Sequence, residues 1–139
     1  MGLLFYSALS GYFAQNIFLK KSKSSWVFAI GWLLLVTTLL CIPGTSLPKV
    51  QWDNKVLLDK WIHVFLFLVL VLLWSKASFL KTKKIFLTIT ILSIFYGIIM
   101  EIVQHYFIPF RSFDVGDMMA DSIGSAAGYF ISVKRFLRR

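Results

Sequence analysis

Cysteine occurs once, at Cys41, so no disulfide can close within this chain and its redox compartment is not legible. Charge is scarce too. Asp, Glu, Lys and Arg make up 15% of the 139 residues, against about 25% in an ordinary soluble domain. A globule of this size has much surface for its volume and needs polar residues to cover it. The shortage therefore argues against a soluble enzyme, a disordered tail and a secreted disulfide scaffold. Acids are the scarcer sign, six against fifteen bases. Proline is rare as well, three in all, so long stretches run without a helix breaker. No internal repeat or low-complexity tract occurs.

What the chain has instead is long apolar runs. A hydrocarbon core about 30 Å thick takes about 20 mostly apolar residues as helix. Three runs meet that demand: WVFAIGWLLLVTTLLCI at 26–42, WIHVFLFLVLVLLWSKASFL at 61–80 and IFLTITILSIFYGIIME at 85–101. A fourth, DMMADSIGSAAGYFISV at 117–133, is less apolar and rich in small residues that suit close helix packing in a membrane. The runs are continuous and lack the alternation of a β-barrel. They predict an all-α, integral membrane four-helix bundle spanning 26–133, after a segment 1–25 and before a basic tail 134–139. The short connections carry turn signals at Pro43-Gly44 and Pro109.

Charge is sorted along this pattern. Lys20, Lys21 and Lys23, then Lys76, Lys81, Lys83 and Lys84, then Lys134, Arg135, Arg138 and Arg139 fall on one side, eleven of the fifteen bases. Lys49, Lys55, Lys60 and Arg111 fall on the other with all six acids: Asp53, Asp59, Glu101, Asp114, Asp117 and Asp121. The positive-inside rule puts the first group in the cytoplasm, with both termini. The net charge of +9 is then +11 inside and −2 outside, which attraction to anionic lipid explains without nucleic acid. Residues 1–19 carry a small, polar stripe at helical spacing (Ser7, Ser10, Gly11, Ala14, Gln15). They read as an interfacial helix lying on the membrane, with a fifth span as the competitor. Bases follow this apolar run rather than precede it, unlike a secretory signal, and Tyr6 breaks the myristoylation pattern.

The topology brings three helix ends together at the outer leaflet, each with ionisable residues at helical spacing. Asp59 and His63 are i, i+4, and Glu101, Gln104 and His105 are i, i+3, i+4. Asp114, Asp117 and Asp121 are i, i+3, i+7, and their stripe continues through Gly124, Ser125 and Gly128, a face for helix packing rather than lipid. Arg111 is the one arginine outside the tail, and its fork suits it to hold two of the carboxylates.

These residues resemble the VanZ-like family. The resemblance rests on Asp59-Lys60-Trp61-Ile62-His63 before an apolar span, on Glu101, Gln104, Pro109 and Arg111, and on Asp117, Asp121, Gly124 and Gly128, together covering about 26–133. At position 121 the family more often shows Asn; the extra acid admits a cation or a protonated carboxyl. The resemblance implies a small bacterial membrane protein, whose family namesake is associated with low-level resistance to the lipoglycopeptide teicoplanin. It implies no chemistry.

Three functional readings follow. The first is an outward-facing pocket for an envelope lipid or a lipoglycopeptide-type amphiphile, lined by Asp59, Lys60, His63, Glu101, Gln104, Arg111, Asp117 and Asp121, with Gly124 and Gly128 as helix-packing residues. The second is a membrane-embedded enzyme on a lipid-linked substrate, metal-dependent through the histidines and carboxylates or served by Ser112, Ser122 or Ser125, which lack a G-x-S-x-G or S-x-x-K setting. The third is a purely structural cluster of ion pairs. The reading leans away from catalysis and names no catalytic residue, metal ligand or cofactor. Expected partners are the lipid bilayer and the amphiphile, with no nucleic acid; a homo-oligomer stays open. Transport lacks a polar path through the cytoplasmic half. The expected location is the bacterial cytoplasmic membrane.

Overall fold

In the computed structural model, which describes residues 23–43 and 55–137, the apolar runs form four helices. They are α1 (Lys23–Leu40), α2 (Lys55–Ala77), α3 (Lys83–Phe107) and α4 (Val115–Phe136). Segment 1–19, Trp52, Asp53 and the Pro43-Gly44 connection beyond Pro43 lie outside the described residues.

Local chemistry sets the helix ends. Ala77 closes α2, and Lys81 Nζ reaches back to donate to the carbonyls of Ser75, Lys76 and Ser78 at 2.6–2.7 Å. These are C-terminal acceptors that the helix leaves unmet. Burial lowers the Lys81 pKa. Thr82 is the N-cap of α3, its hydroxyl accepting from the Ile85 N–H at 3.3 Å. At the other end Ile108 is extended, with φ −105° and ψ 119°, because a residue before proline is driven from the helical region. Pro109 and Phe110 then turn the chain, and the Arg111 N–H donates to the Ile108 carbonyl at 3.4 Å. Phe110 sits at φ 60°, where type II turns favour glycine.

The boundaries depart from the sequence reading at several points. α2 starts at Lys55 rather than Trp61, since Val56, Leu57 and Leu58 continue the apolar pattern. α3 runs six residues past Glu101, which places that acid inside a helix rather than at its end. α4 continues through Lys134 and Arg135 of the supposed tail. α1, α2 and α3 are long and apolar enough to cross a membrane. α4 is not among them, because its acids, serines and glycines dilute it.

Successive helices run antiparallel. Trp26 stacks edge-on against Trp74, with ring centroids 5.4 Å apart, and the Trp32 indole donates to the Leu66 carbonyl at 3.0 Å, so α1 and α2 oppose. Ser125 donates to Ser93 at 3.1 Å, and a Cβ at Gly97 would meet Asp121, so α3 and α4 oppose. α2 and α4 run the same way along the most extensive contact among α2, α3 and α4. There Gly124 meets the Val64 backbone and Gly128 meets Leu68 and Val71. The absence of side chains at these two positions is what lets the helices approach so closely.

Burial is inverted relative to a soluble bundle. His63, Ser75, Thr90, Ser93, Glu101, Gln104, Asp117, Asp121, Ser125 and Ser132 are buried, while Phe65, Leu92, Phe95, Ile123 and Phe130 are exposed. A small apolar core of Val36, Leu40, Leu66, Phe67, Leu70 and Met100 holds α1, α2 and α3 together. Large apolar side chains outside and polar ones inside suit a hydrocarbon solvent.

Candidate functional site

The site grows from the first turn of α4. Asp114 is its N-cap, and its carboxylate accepts from the Gly116 N–H at 2.6 Å. Its own backbone N–H donates to Glu101 Oε2 at 3.1 Å, so α3 anchors the start of α4. Asp114 and Asp117 both suit the positive end of the helix dipole. From α2, the Lys60 ammonium reaches Asp114 Oδ2 at 2.9 Å and Asp117 Oδ1 at 3.0 Å. That ammonium is the main reason the Asp114 carboxyl is held below its usual range; partial burial opposes it, and the Gly116 N–H adds to it. A Cβ at Gly116 would occupy the space that Lys60 Nζ fills.

One turn deeper, His63 Nδ1 and Asp121 Oδ1 lie 2.9 Å apart, both side chains almost wholly buried. Asp59, His63 and Asp117 each offer a donor atom, and these three atoms lie within 4.8 Å of one another. Five carboxyl groups, those of Asp59, Glu101, Asp114, Asp117 and Asp121, thus share one end of the bundle with Lys60 and His63.

The profile of the VanZ/LLP1 family matches residues 1–138. The chain belongs to the VanZ/LLP1 family. No curated protein and no solved structure matches it. Family membership and three apolar helices of spanning length make it a membrane protein.

On this VanZ/LLP1 chain the expected site residues divide in two. Asp59, Lys60, His63, Glu101, Asp117 and Asp121 converge directly or through Asp114. Gln104 and Arg111 turn toward the end of α1. Gln104 Nε2 donates to the Leu40 carbonyl at 2.8 Å, and Arg111 Nε donates to the Ile42 carbonyl at 3.4 Å. The expectation that Arg111 clamps two carboxylates is therefore corrected. Among the described residues it makes no ion pair, and Lys60 performs the double contact. The reason is placement. Lys60 projects from α2 across the first turn of α4, whereas Arg111 leaves a turn that faces α1. Nor does Asp59 orient His63 at Nδ1; Asp121 takes that nitrogen from α4.

Two contributors went unrecognised in the sequence. Asp114 was read as one more member of a stripe, yet an aspartate just before a helical run is an N-cap signal. Gly116, having no side chain, makes room for an ammonium. His105 is exposed and packs edge-on against Tyr106, away from the cluster. Two of the three candidate serines are engaged elsewhere: Ser122 donates to the Met118 carbonyl and Ser125 to Ser93.

Proposed function

We propose that this VanZ/LLP1 protein binds an amphiphile of the bacterial envelope. In this reading both chain ends lie in the cytoplasm, all four helices cross the cytoplasmic membrane, and the cluster faces the outer leaflet. Its ligand is the polar head of an envelope lipid, a lipid-linked glycan or a lipoglycopeptide-type molecule. The association of the family's namesake with teicoplanin resistance accords with that class.

One observation carries the reading. Lys60 and His63 are each held by aspartates, while Arg111 contacts no described carboxylate and gives only a long hydrogen bond to a carbonyl. A guanidinium that no described carboxylate holds is suited to an anionic head group. Beside it Phe110 is 82% exposed in a left-handed conformation, which costs an L-residue about 1–2 kcal/mol. A strained, exposed aromatic next to a cation that no described acid holds supports a site for an acyl chain and its head.

The alternatives are a purely structural cluster and an enzyme. Ser122 and Ser125 give serine hydrolysis no support, since neither bonds to His63. The test is native mass spectrometry after gentle detergent extraction. The wild-type chain is expected to retain a phospholipid or lipid-linked glycan that Arg111→Ala loses and Arg111→Lys holds weakly. Equal retention in all three, with intact helical content, overturns the reading.

A further inference from the structure

We infer that Asp59, His63 and Asp117 form a binding site for a first-row divalent metal ion, Zn²⁺ foremost. The inference stands apart from the amphiphile reading, because it concerns the α2–α4 seam rather than Arg111.

The donor set is the first ground. Asp59 and His63 share one face of α2, and Asp117 faces them from the first turn of α4. Their donor atoms already lie within 4.8 Å of one another. Oxygen and nitrogen donors at 2.0–2.2 Å from a tetrahedral Zn²⁺ are about 3.3–3.6 Å apart. Small rotations of two carboxylates close that gap while both helices stay in place.

The second ground is His63 itself. The residue is 3% exposed. Asp121 holds its Nδ1, the one hydrogen bond that the ring makes to a described residue. An imidazole fixed by a carboxylate at one nitrogen and unpartnered at the other is the arrangement that second-shell carboxylates impose on metal-ligating histidines. Asp59 is likewise without a hydrogen bond or ion pair to any described residue. Five carboxyls against one ammonium and one imidazole leave a negative balance that a divalent cation reduces. One imidazole nitrogen and two carboxylate oxygens suit Zn²⁺ better than the all-oxygen preference of Mg²⁺ or Ca²⁺. The remaining coordination position stays open to water or ligand.

Lys60 supplies an internal control. Its ammonium lies 3.0 Å from Asp117 Oδ1 and competes with the metal for that carboxylate. Removing it should tighten the site, whereas removing a ligand should loosen it.

The experiment uses the full chain in detergent, stripped with chelator and titrated with ZnCl₂ by calorimetry, with bound zinc counted by mass spectrometry. One Zn²⁺ per chain is expected. Asp59→Asn and His63→Gln should each weaken binding at least tenfold. Asp121→Asn should weaken it 10–100-fold, the range for second-shell partners. Lys60→Met should strengthen it, and His105→Gln should leave it unchanged. Asp59→Asn breaks no bond to a described residue, so it keeps its fold, as read by circular dichroism, even if His63→Gln does not. A folded wild-type chain that binds no Zn²⁺, or binding that survives Asp59→Asn, overturns the inference. Zinc is read without lipid, so lipid retention failing in the Arg111 series leaves this result intact, and the converse holds too.

Discussion

Replacing glycine by alanine at three positions separates helix propensity from helix contact. In a helix interior the change is worth about 0.8–1 kcal/mol in favour of alanine. At Gly31 in α1 an added Cβ meets nothing within 4 Å, so that gain should appear undiminished. At Gly124 the Cβ would run into the Val64 carbonyl, with the Val64 Cα 3.0 Å away. Backbone cannot swing aside as a side chain can, so α4 must move off α2. Overpacking of this kind costs about 1–3 kcal/mol, which cancels or outweighs the propensity gain. Gly116→Ala falls between, because the obstacle there is the flexible end of Lys60. Unfolding in mixed micelles with rising sodium dodecyl sulfate, followed by circular dichroism, should rank Gly31→Ala above Gly116→Ala and both above Gly124→Ala. The gap between the extremes should be about 1–3 kcal/mol. A Gly124→Ala protein as stable as Gly31→Ala would refute the close α2–α4 approach at Val64.

The ion pairs give two further predictions. Asp114 has its pKa lowered by Lys60, so its charge contributes stability above the ordinary carboxylate value, about 3.9, and that contribution is lost as pH falls through the depressed value. Asp114→Asn should therefore be the less stable protein at pH 7, with the difference shrinking below about pH 4, read by thermal melting across a pH series; a constant difference would sink this account. For His63 and Asp121, either His63→Leu or Asp121→Ala alone should cost about 3 kcal/mol or more by stranding a buried partner, while the double replacement should recover most of the loss. Additive losses in a double-mutant cycle would mean that the 2.9 Å contact carries no coupling.

Four helices were legible because run length alone sets the scale of a spanning segment, and helices α1 to α3 follow it closely. Their ends were less legible. Pro109 marks the stop of α3 to within two residues, but nothing in the apolar run shows that Lys81 folds back to finish α2. Within a helix, spacing puts Asp59 beside His63, and the fold keeps them together. Across helices, spacing is silent. Which cation meets which acid depends on how far each helix is rotated and how closely it packs. Gly124 and Gly128 set both for α2 and α4, and so bring Lys60 to Asp117 and His63 to Asp121. Arg111 looked the stronger candidate by chemistry and lost by position.

That division of partners bears on what the end of the bundle can bind. Had Arg111 closed on two carboxylates, the cluster would have been closer to neutral, and a structural reading would have explained more of it. Instead the positive group at the turn faces away from the acids, and the acids keep more negative charge than Lys60 and His63 can offset. Charge left unbalanced in a protein that buries its polar residues is expensive, so separation of the two signs is the feature to explain. An anionic head at Arg111 and a cation at Asp59, His63 and Asp117 would each neutralise one pole. Loss of either should then destabilise the chain in a way that added ligand reverses: zinc should raise the melting temperature of the wild-type protein and of Arg111→Ala, but not that of Asp59→Asn.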